Sequence, residues 1–254
     1  MDLGLKGLKA IVTGGSKGIG RRAADIFVDE GADVAICARN PGEVSAAIES
    51  MKKKGVAAYG AALDVANKAG LQKFIADAAA ALGGLDILVA NVSAALAVLD
   101  TEEAWQRTFE VDMMHTVHAV NAALPFLERS KHPAIVVISS VSGREVDFAA
   151  PAYGAFKAAL VHYAQKLAHQ YAPKMIRVNA VSPGNTYFDG GVWQSAENQL
   201  PDLYKHALSL NPTGRMATPE EVGRGIVFLA SPASGFTTGT NLVIDGALTR
   251  GVQL

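Results

Sequence analysis

Tyr153 and Lys157 stand four residues apart in the stretch PAYGAFKAAL, the interval that sets two side chains on one face of a helix. A phenol ionises near pH ~10, too high for ready proton exchange at neutrality, and an adjacent ammonium favours the phenolate and brings that value down. Such a pair can pass a proton to or from an oxygen whose bond order is changing. Ser140 lies thirteen residues before Tyr153, in the run Ser139-Ser140-Val141-Ser142. Its hydroxyl could hold that oxygen and stabilise the charge that grows on it. In isolation, a Tyr–Lys pair is more often surface decoration, and a serine run is a polar loop with Ser139 and Ser142 as alternatives to Ser140.

A second group supplies a place for an electron carrier. Near the start the chain reads Thr13-Gly14-Gly15-Ser16-Lys17-Gly18-Ile19-Gly20, a TGxxxGxG spacing distinct from GxGxxG. Glycines in a strand-to-helix turn let the backbone approach a pyrophosphate, and the helix that follows offers it unpaired N–H groups. The residue ending the second strand of such a unit meets the adenosine ribose, where a carboxylate would accept from both hydroxyls and repel a 2′-phosphate. Here Ala38 is followed by Arg39, and Lys17 sits in the glycine turn. Two cations and no carboxylate favour NADP(H) over NAD(H).

The elements that must position these groups alternate along the chain. Strand-like apolar runs cover 10–13, 34–38, 56–63, 85–89, 134–139, 176–181 and 242–245. Helical patterns cover 19–30, 43–54, 68–82, one long segment 101–128, and 153–171 between Pro151 and Pro173. Continuous apolar strands separated by helices predict a parallel sheet covered on both faces. The expected fold is α/β: one Rossmann-like domain over 1–254, a doubly wound parallel sheet of about seven strands with helices on both faces. Ligands would then bind at the carboxyl ends of the strands. Residues 185–212, with Tyr187, Phe188, Trp193 and Tyr204, read as a substrate flap with an apolar lining.

With the glycine spacing, the serine interval and YxxxK in this order, the chain resembles the classical short-chain dehydrogenase/reductase family along nearly its whole length. Asp64-Val65 resembles the family's adenine-binding pair, RVNAVSPG at 177–184 its nicotinamide-side motif, and NLVIDGA at 241–247 its last strand and turn. The resemblance implies catalysis by Ser140, Tyr153 and Lys157, with Lys157 also bonding the nicotinamide ribose. It implies cofactor contacts from Gly14, Ser16, Lys17, Gly18, Ile19, Gly20, Arg39, Asp64, Val65, Asn91, Tyr153, Lys157, Pro183, Gly184 and Thr186. Three places depart from the family pattern. NNAG is replaced by Ala90-Asn91-Val92-Ser93, the threonine after PG by Phe188, and the asparagine of the central helix by Asp112. In relatives that asparagine distorts its helix, and its backbone carbonyl holds a water that links the lysine to solvent. Asp112 is therefore expected to be a positioning residue that preserves this relay, its charge tempered by Lys157 or bound water.

Composition narrows the remaining classes. Of 254 residues, 50% are hydrophobic and 19% charged, with a net charge of -1, so neither nucleic acid nor an anionic membrane surface is an expected partner. Lys52-Lys53-Lys54 ends a helical stretch before Gly55, where cations complement the helix dipole. Cys37 is the only cysteine, which precludes an intramolecular disulfide and favours a reducing compartment. No secretory pattern opens MDLGLKGLKAIVTGG, and no apolar run has membrane-spanning length, so a cytoplasmic protein is expected. Asp112, His115 and His118 lack the further ligands of a metal site, and none is expected. The leading reading is reduction of a ketone or aldehyde, 3-oxoacyl-type or another small carbonyl, by NADPH. Alcohol oxidation is the reverse alternative, and a non-catalytic cofactor-binding regulator the alternative from another class. Family resemblance implies a homotetramer.

Overall fold

The computed structural model describes residues 2–95 and 98–251. Seven strands form one sheet: β1 (Lys9–Thr13), β2 (Asp33–Ala38), β3 (Ala58–Ala62), β4 (Ile87–Ala90), β5 (Ala134–Ile138), β6 (Arg177–Pro183) and β7 (Asn241–Ile244). Every pairing is parallel and the order is β3-β2-β1-β4-β5-β6-β7. The order reverses direction between β1 and β4, and that crevice is where a doubly wound sheet places ligands.

Alternation along the strands divides the core into two layers. Ile11, Leu88, Ile135 and Val178 face one side, against Phe74 of α3 (Lys68–Leu82), Val120 of α5 (His115–Leu127) and Leu160 of α6 (Pro151–Tyr171). Val12, Val89, Val136 and Val181 face the other, against Phe27 of α1 (Gly18–Asp29), Met51 of α2 (Pro41–Lys52) and Ile226 of α9 (Pro219–Ala230). A side chain such as Phe27, fully withdrawn from water, contributes roughly 1.5–3 kcal/mol. Cys37 lies inside this sheet, and burial pushes its thiol up to about 12, which leaves it unreactive near neutrality.

The expected helix 101–128 is broken. It consists of α4 (Glu102–Thr108), a π-helical turn at Phe109–Met114, and then α5. The His115 N–H bonds the carbonyl of Glu110, five residues back. Two side chains take up carbonyls that the wide turn frees: Thr116 Oγ1 donates to Asp112 O at 3.0 Å, and His115 Nδ1 lies 3.0 Å from Val111 O. Since a carbonyl can only accept, Nδ1 carries the imidazole proton, and Nε2 accepts from Thr13 Oγ1 at 2.9 Å. The same hydroxyl accepts the Asn91 N–H at 3.0 Å. One buried imidazole thus ties the end of β1, the loop after β4 and the π turn together. The hydrophobic period runs unbroken through 109–114, so the pattern carries no sign of the interruption.

Burial pulls the His115 imidazole down from 6.5 to about 4, with the Val111 carbonyl and the Asp112 carboxylate opposing. A base whose folded value is depressed gives stability that is complete above its unfolded value and is lost as pH falls. Thermal unfolding of the wild type should therefore lose stability between pH 6.5 and 4 more steeply than His115→Gln, although the variant starts lower at neutral pH. Parallel profiles for the two proteins would show that His115 is not held neutral in this network.

Candidate active site

A cleft of about 620 Å³ opens at the carboxyl ends of the strands, and all of the catalytic trio and most of the expected cofactor residues line it. One end is the turn between β1 and α1. Helix α1 has no side-chain cap at Lys17 and no acidic residue in its first turn, so its leading N–H groups remain available to an anion. The Asn91 amide docks under this turn, donating to Thr13 O at 3.1 Å and Gly14 O at 3.4 Å. A Cβ at Gly20 would stand 2.4 Å from both that amide nitrogen and Gly14 O, so only glycine fits there. These features suit the pyrophosphate of a dinucleotide. Asn91, which also lines the cleft, thus supports the turn with its amide nitrogen.

The adenosine end corrects one expectation. Arg39 is exposed at the end of β2, and Lys17 lines the same corner, but a carboxylate is present. Glu43 Oε1 lies 2.8 Å from Lys17 Nζ, and Glu43 Oε2 accepts from Ser16 Oγ at 3.1 Å. The Lys17 contact first, then Ser16, holds the Glu43 carboxyl below its ordinary range. Helix α2 begins at Pro41, earlier than expected, with Asn40 accepting from the N–H groups of Gly42 and Glu43. Glu43 is thereby at the third helical position, from which it reaches back; Asn40-Pro41-Gly42-Glu43 is a capping sequence that could have revealed it. Asp64 is clamped by Arg107 Nη2 at 2.7 Å and by the Ala66 N–H at 3.0 Å. Burial pushes its carboxyl up, but these donors outweigh burial and hold it below the usual range. Arg107, 43 residues distant in sequence, gave no local signal.

The proton-transfer group assembles where β5 meets α6 and the π turn. Tyr153 and Lys157 occupy one face of α6, with Lys157 Nζ 5.5 Å from the centroid of the Tyr153 ring. Ser140 follows β5 and lines the cleft beside them. Its Oγ donates to Ser142 Oγ at 3.3 Å, and Ser142 Oγ donates to Asp147 Oδ2 at 2.7 Å. Ser139 is buried and donates to Lys157 O at 2.7 Å, which removes it as an alternative to Ser140. Lys157 Nζ donates to Ile138 O at 3.1 Å and lies 3.1 Å from Asp112 Oδ1. Both side chains are withdrawn from solvent, at 2% and 0% exposure. The other Asp112 oxygen accepts the Ala94 N–H at 2.9 Å. Asp112 thus contacts Lys157 through its carboxylate, while its backbone carbonyl, the expected relay atom, already accepts from Thr116. Burial pulls the Lys157 ammonium down, but Asp112 first and Tyr153 next outweigh it, and the net direction is upward.

The far wall comes from the segment after β6. The Gly184 N–H bonds Ile244 O at 2.9 Å and Thr186 Oγ1 donates to Gly184 O at 3.1 Å, so Thr186 is engaged with its own turn. Phe188 lays its ring against the glycine turn, where a Cβ on Gly18 would fall 2.5 Å from it. Helices α7 (Val192–Gln199) and α8 (Pro201–Ser209) follow. Phe188 and Trp193 line the cleft, and Trp193 meets Phe148 edge-on at 6.0 Å. Tyr187 and Tyr204 pack on each other at 6.1 Å, and neither is among the cleft-lining residues.

Known proteins share this arrangement. A family model described as enoyl-(acyl carrier protein) reductase matches residues 14–249. Isoepoxydon dehydrogenase of Penicillium expansum is 39% identical over 100% of this chain and 99% of its own length. A 3-oxoacyl-[acyl-carrier-protein] reductase of Chlamydia pneumoniae is 31% identical over 98% and 100%. L-sorbose reductase of Gluconobacter frateurii, solved with NADPH and L-sorbose, superposes with a TM-score of 0.92 at 30% identity, covering 99% of this chain and 100% of that one. With a family model matched over residues 14–249 and a relative 39% identical along its whole length, the chain belongs to the short-chain dehydrogenase/reductase family of oxidoreductases.

Proposed function

We propose that the protein is an NADPH-dependent reductase of a ketone or aldehyde, formed by a single domain whose segment 185–212 is the substrate flap. The observation that carries this reading is the common cleft: Ser140, Tyr153 and Lys157 line the same cavity as the glycine turn and Arg39. A purely regulatory binder would need the turn but not the trio. NADPH, when bound, supplies the hydride for the carbonyl carbon. The first turn of α1, with Gly18 and Ile19, would hold its pyrophosphate; Arg39, Lys17 and Ser16 would hold its 2′-phosphate; Asp64 and Val65 would face the adenine; and Lys157 would reach the nicotinamide ribose. Thr186, Pro183 and Gly184 would border the nicotinamide.

Ser140 turns its hydroxyl from Ser142 to the substrate oxygen and stabilises the charge that develops there. Tyr153 donates its phenolic proton to that oxygen as the carbon is reduced, and the resulting phenolate is reprotonated from solvent. Phe148, Phe188 and Trp193 provide apolar walls suited to a neutral, compact carbonyl compound. Similar proteins named for a sugar ketone and for 3-oxoacyl substrates agree with carbonyl chemistry of this type. No helix of the described residues is long and apolar enough to cross a membrane. A cytoplasmic location and a homotetramer complete the proposal.

Two measurements test it. Tyr153→Phe should keep the fold and NADPH affinity while turnover of the best substrate falls by roughly a hundredfold or more, the range for losing a general acid; near wild-type turnover would refute the assignment. Cofactor titrations followed by fluorescence should give Arg39→Ala about tenfold to a hundredfold weaker NADPH binding with little change for NADH. Glu43→Gln should act oppositely, tightening NADPH by about threefold to tenfold, because a carboxylate beside the 2′-phosphate repels it and occupies Lys17. Equal effects on both cofactors would show that these side chains do not read the phosphate.

A further inference from the structure

The buried pair at the catalytic lysine bears on the direction of the reaction. Of the three N–H donors of Lys157, Ile138 O takes one, while Asp112 Oδ1 lies 3.1 Å from Nζ as an ion-pair partner outside hydrogen-bond geometry. Among the described residues no amide or hydroxyl donor satisfies Asp112 Oδ1, so its counter-charge is the ammonium alone. A lone ammonium 5.5 Å from the Tyr153 ring would act as a monopole and pull the phenol towards its anion. With a carboxylate 3.1 Å from it, the pair acts as a dipole, whose field decays faster with distance. The other charged or titratable neighbours do not restore the monopole. His115, packed beside the pair from α5, is neutral above about pH 4. Asp147, from the loop before α6, lines the cleft and adds negative charge, not positive.

Resting on the assignment of Tyr153 as proton donor, we propose that Asp112 is a charge-compensating positioning residue: it fixes Lys157 in place and cancels most of its field at Tyr153, so that Tyr153 keeps its proton to higher pH and the site favours carbonyl reduction over alcohol oxidation near neutrality. This differs from a carbonyl-held water relay, because the side chain itself carries the function. Asp112→Asn conserves shape and can still accept the Ala94 N–H, and it removes only the negative charge.

Rates of reduction and of oxidation measured across pH, for wild type and Asp112→Asn, supply the test. In the variant the limb that reports Tyr153 should move down by about one pH unit in both directions of reaction, raising oxidation relative to reduction at neutral pH. A limb that stays in place or moves up overturns the proposal. An ultraviolet difference titration of the phenolate without cofactor, each protein minus its Tyr153→Phe counterpart, reads the same quantity independently of turnover. The wild-type midpoint should lie about one pH unit above that of Asp112→Asn, and coincident or reversed midpoints overturn the proposal. Full activity of Tyr153→Phe would instead sink the proton-donor assignment, so the two failures are distinguishable.

Discussion

The ion pair between Asp112 and Lys157 is the constraint on which the rest of the site depends. Withdrawing two charges from water is costly, and the mutual attraction of the pair offsets that cost only when geometry is good and the remaining valences are met. Here the surroundings meet most of them: Ile138 supplies a carbonyl to the ammonium, and Ala94 supplies an N–H to the carboxylate. The π turn is what brings Asp112 to Lys157, and the turn in turn needs Thr116 and His115 to occupy the carbonyls it frees. Removing Lys157 would leave a bare carboxylate in the core, which is far more damaging than losing the pair's net contribution.

From that pair the network extends to the cofactor end. His115 reaches Thr13, Thr13 receives the Asn91 N–H, and the Asn91 amide supports the glycine turn. The π turn that carries Asp112 and the nucleotide turn are therefore joined through a short series of hydrogen bonds at the crevice between β1 and β4. The opposite, outer wall is different in kind. It is built from aromatic contacts of a segment after β6, and it meets the turn through Phe188 on Gly18. A rigid inner wall with a softer outer one suits a site that must fix its reacting groups yet admit and release a substrate.

Much of this was legible in the residue order. The inner strands β1, β2, β4, β5 and β6 are mostly buried and read as apolar runs, and the half-buried edge strands β3 and β7 were found as well, with ends differing by a few residues. The Tyr153–Lys157 spacing and the glycine turn depend on local geometry, which sequence encodes directly. Contacts that join distant segments were not legible. The π turn hides inside a continuous hydrophobic pattern, and only side-chain bonds to carbonyls reveal it. Arg107 clamps Asp64 across 43 residues. Glu43 was placed at the start of a helix whose true first turn begins at Pro41, and that shift concealed a carboxylate in the very corner read as purely cationic. Asp112 was expected to preserve a water relay with its charge tempered by Lys157 or bound water, and its carboxylate lies 3.1 Å from Lys157 Nζ.

A crystal structure of the protein with NADPH bound, at a resolution that orders internal waters, tests the central claim most directly. Lys157 Nζ should remain in direct contact with Asp112 Oδ1, near the 3.1 Å seen here, with no water between them. A water interposed between ammonium and carboxylate, or an Asp112 side chain turned away from Lys157, would contradict it.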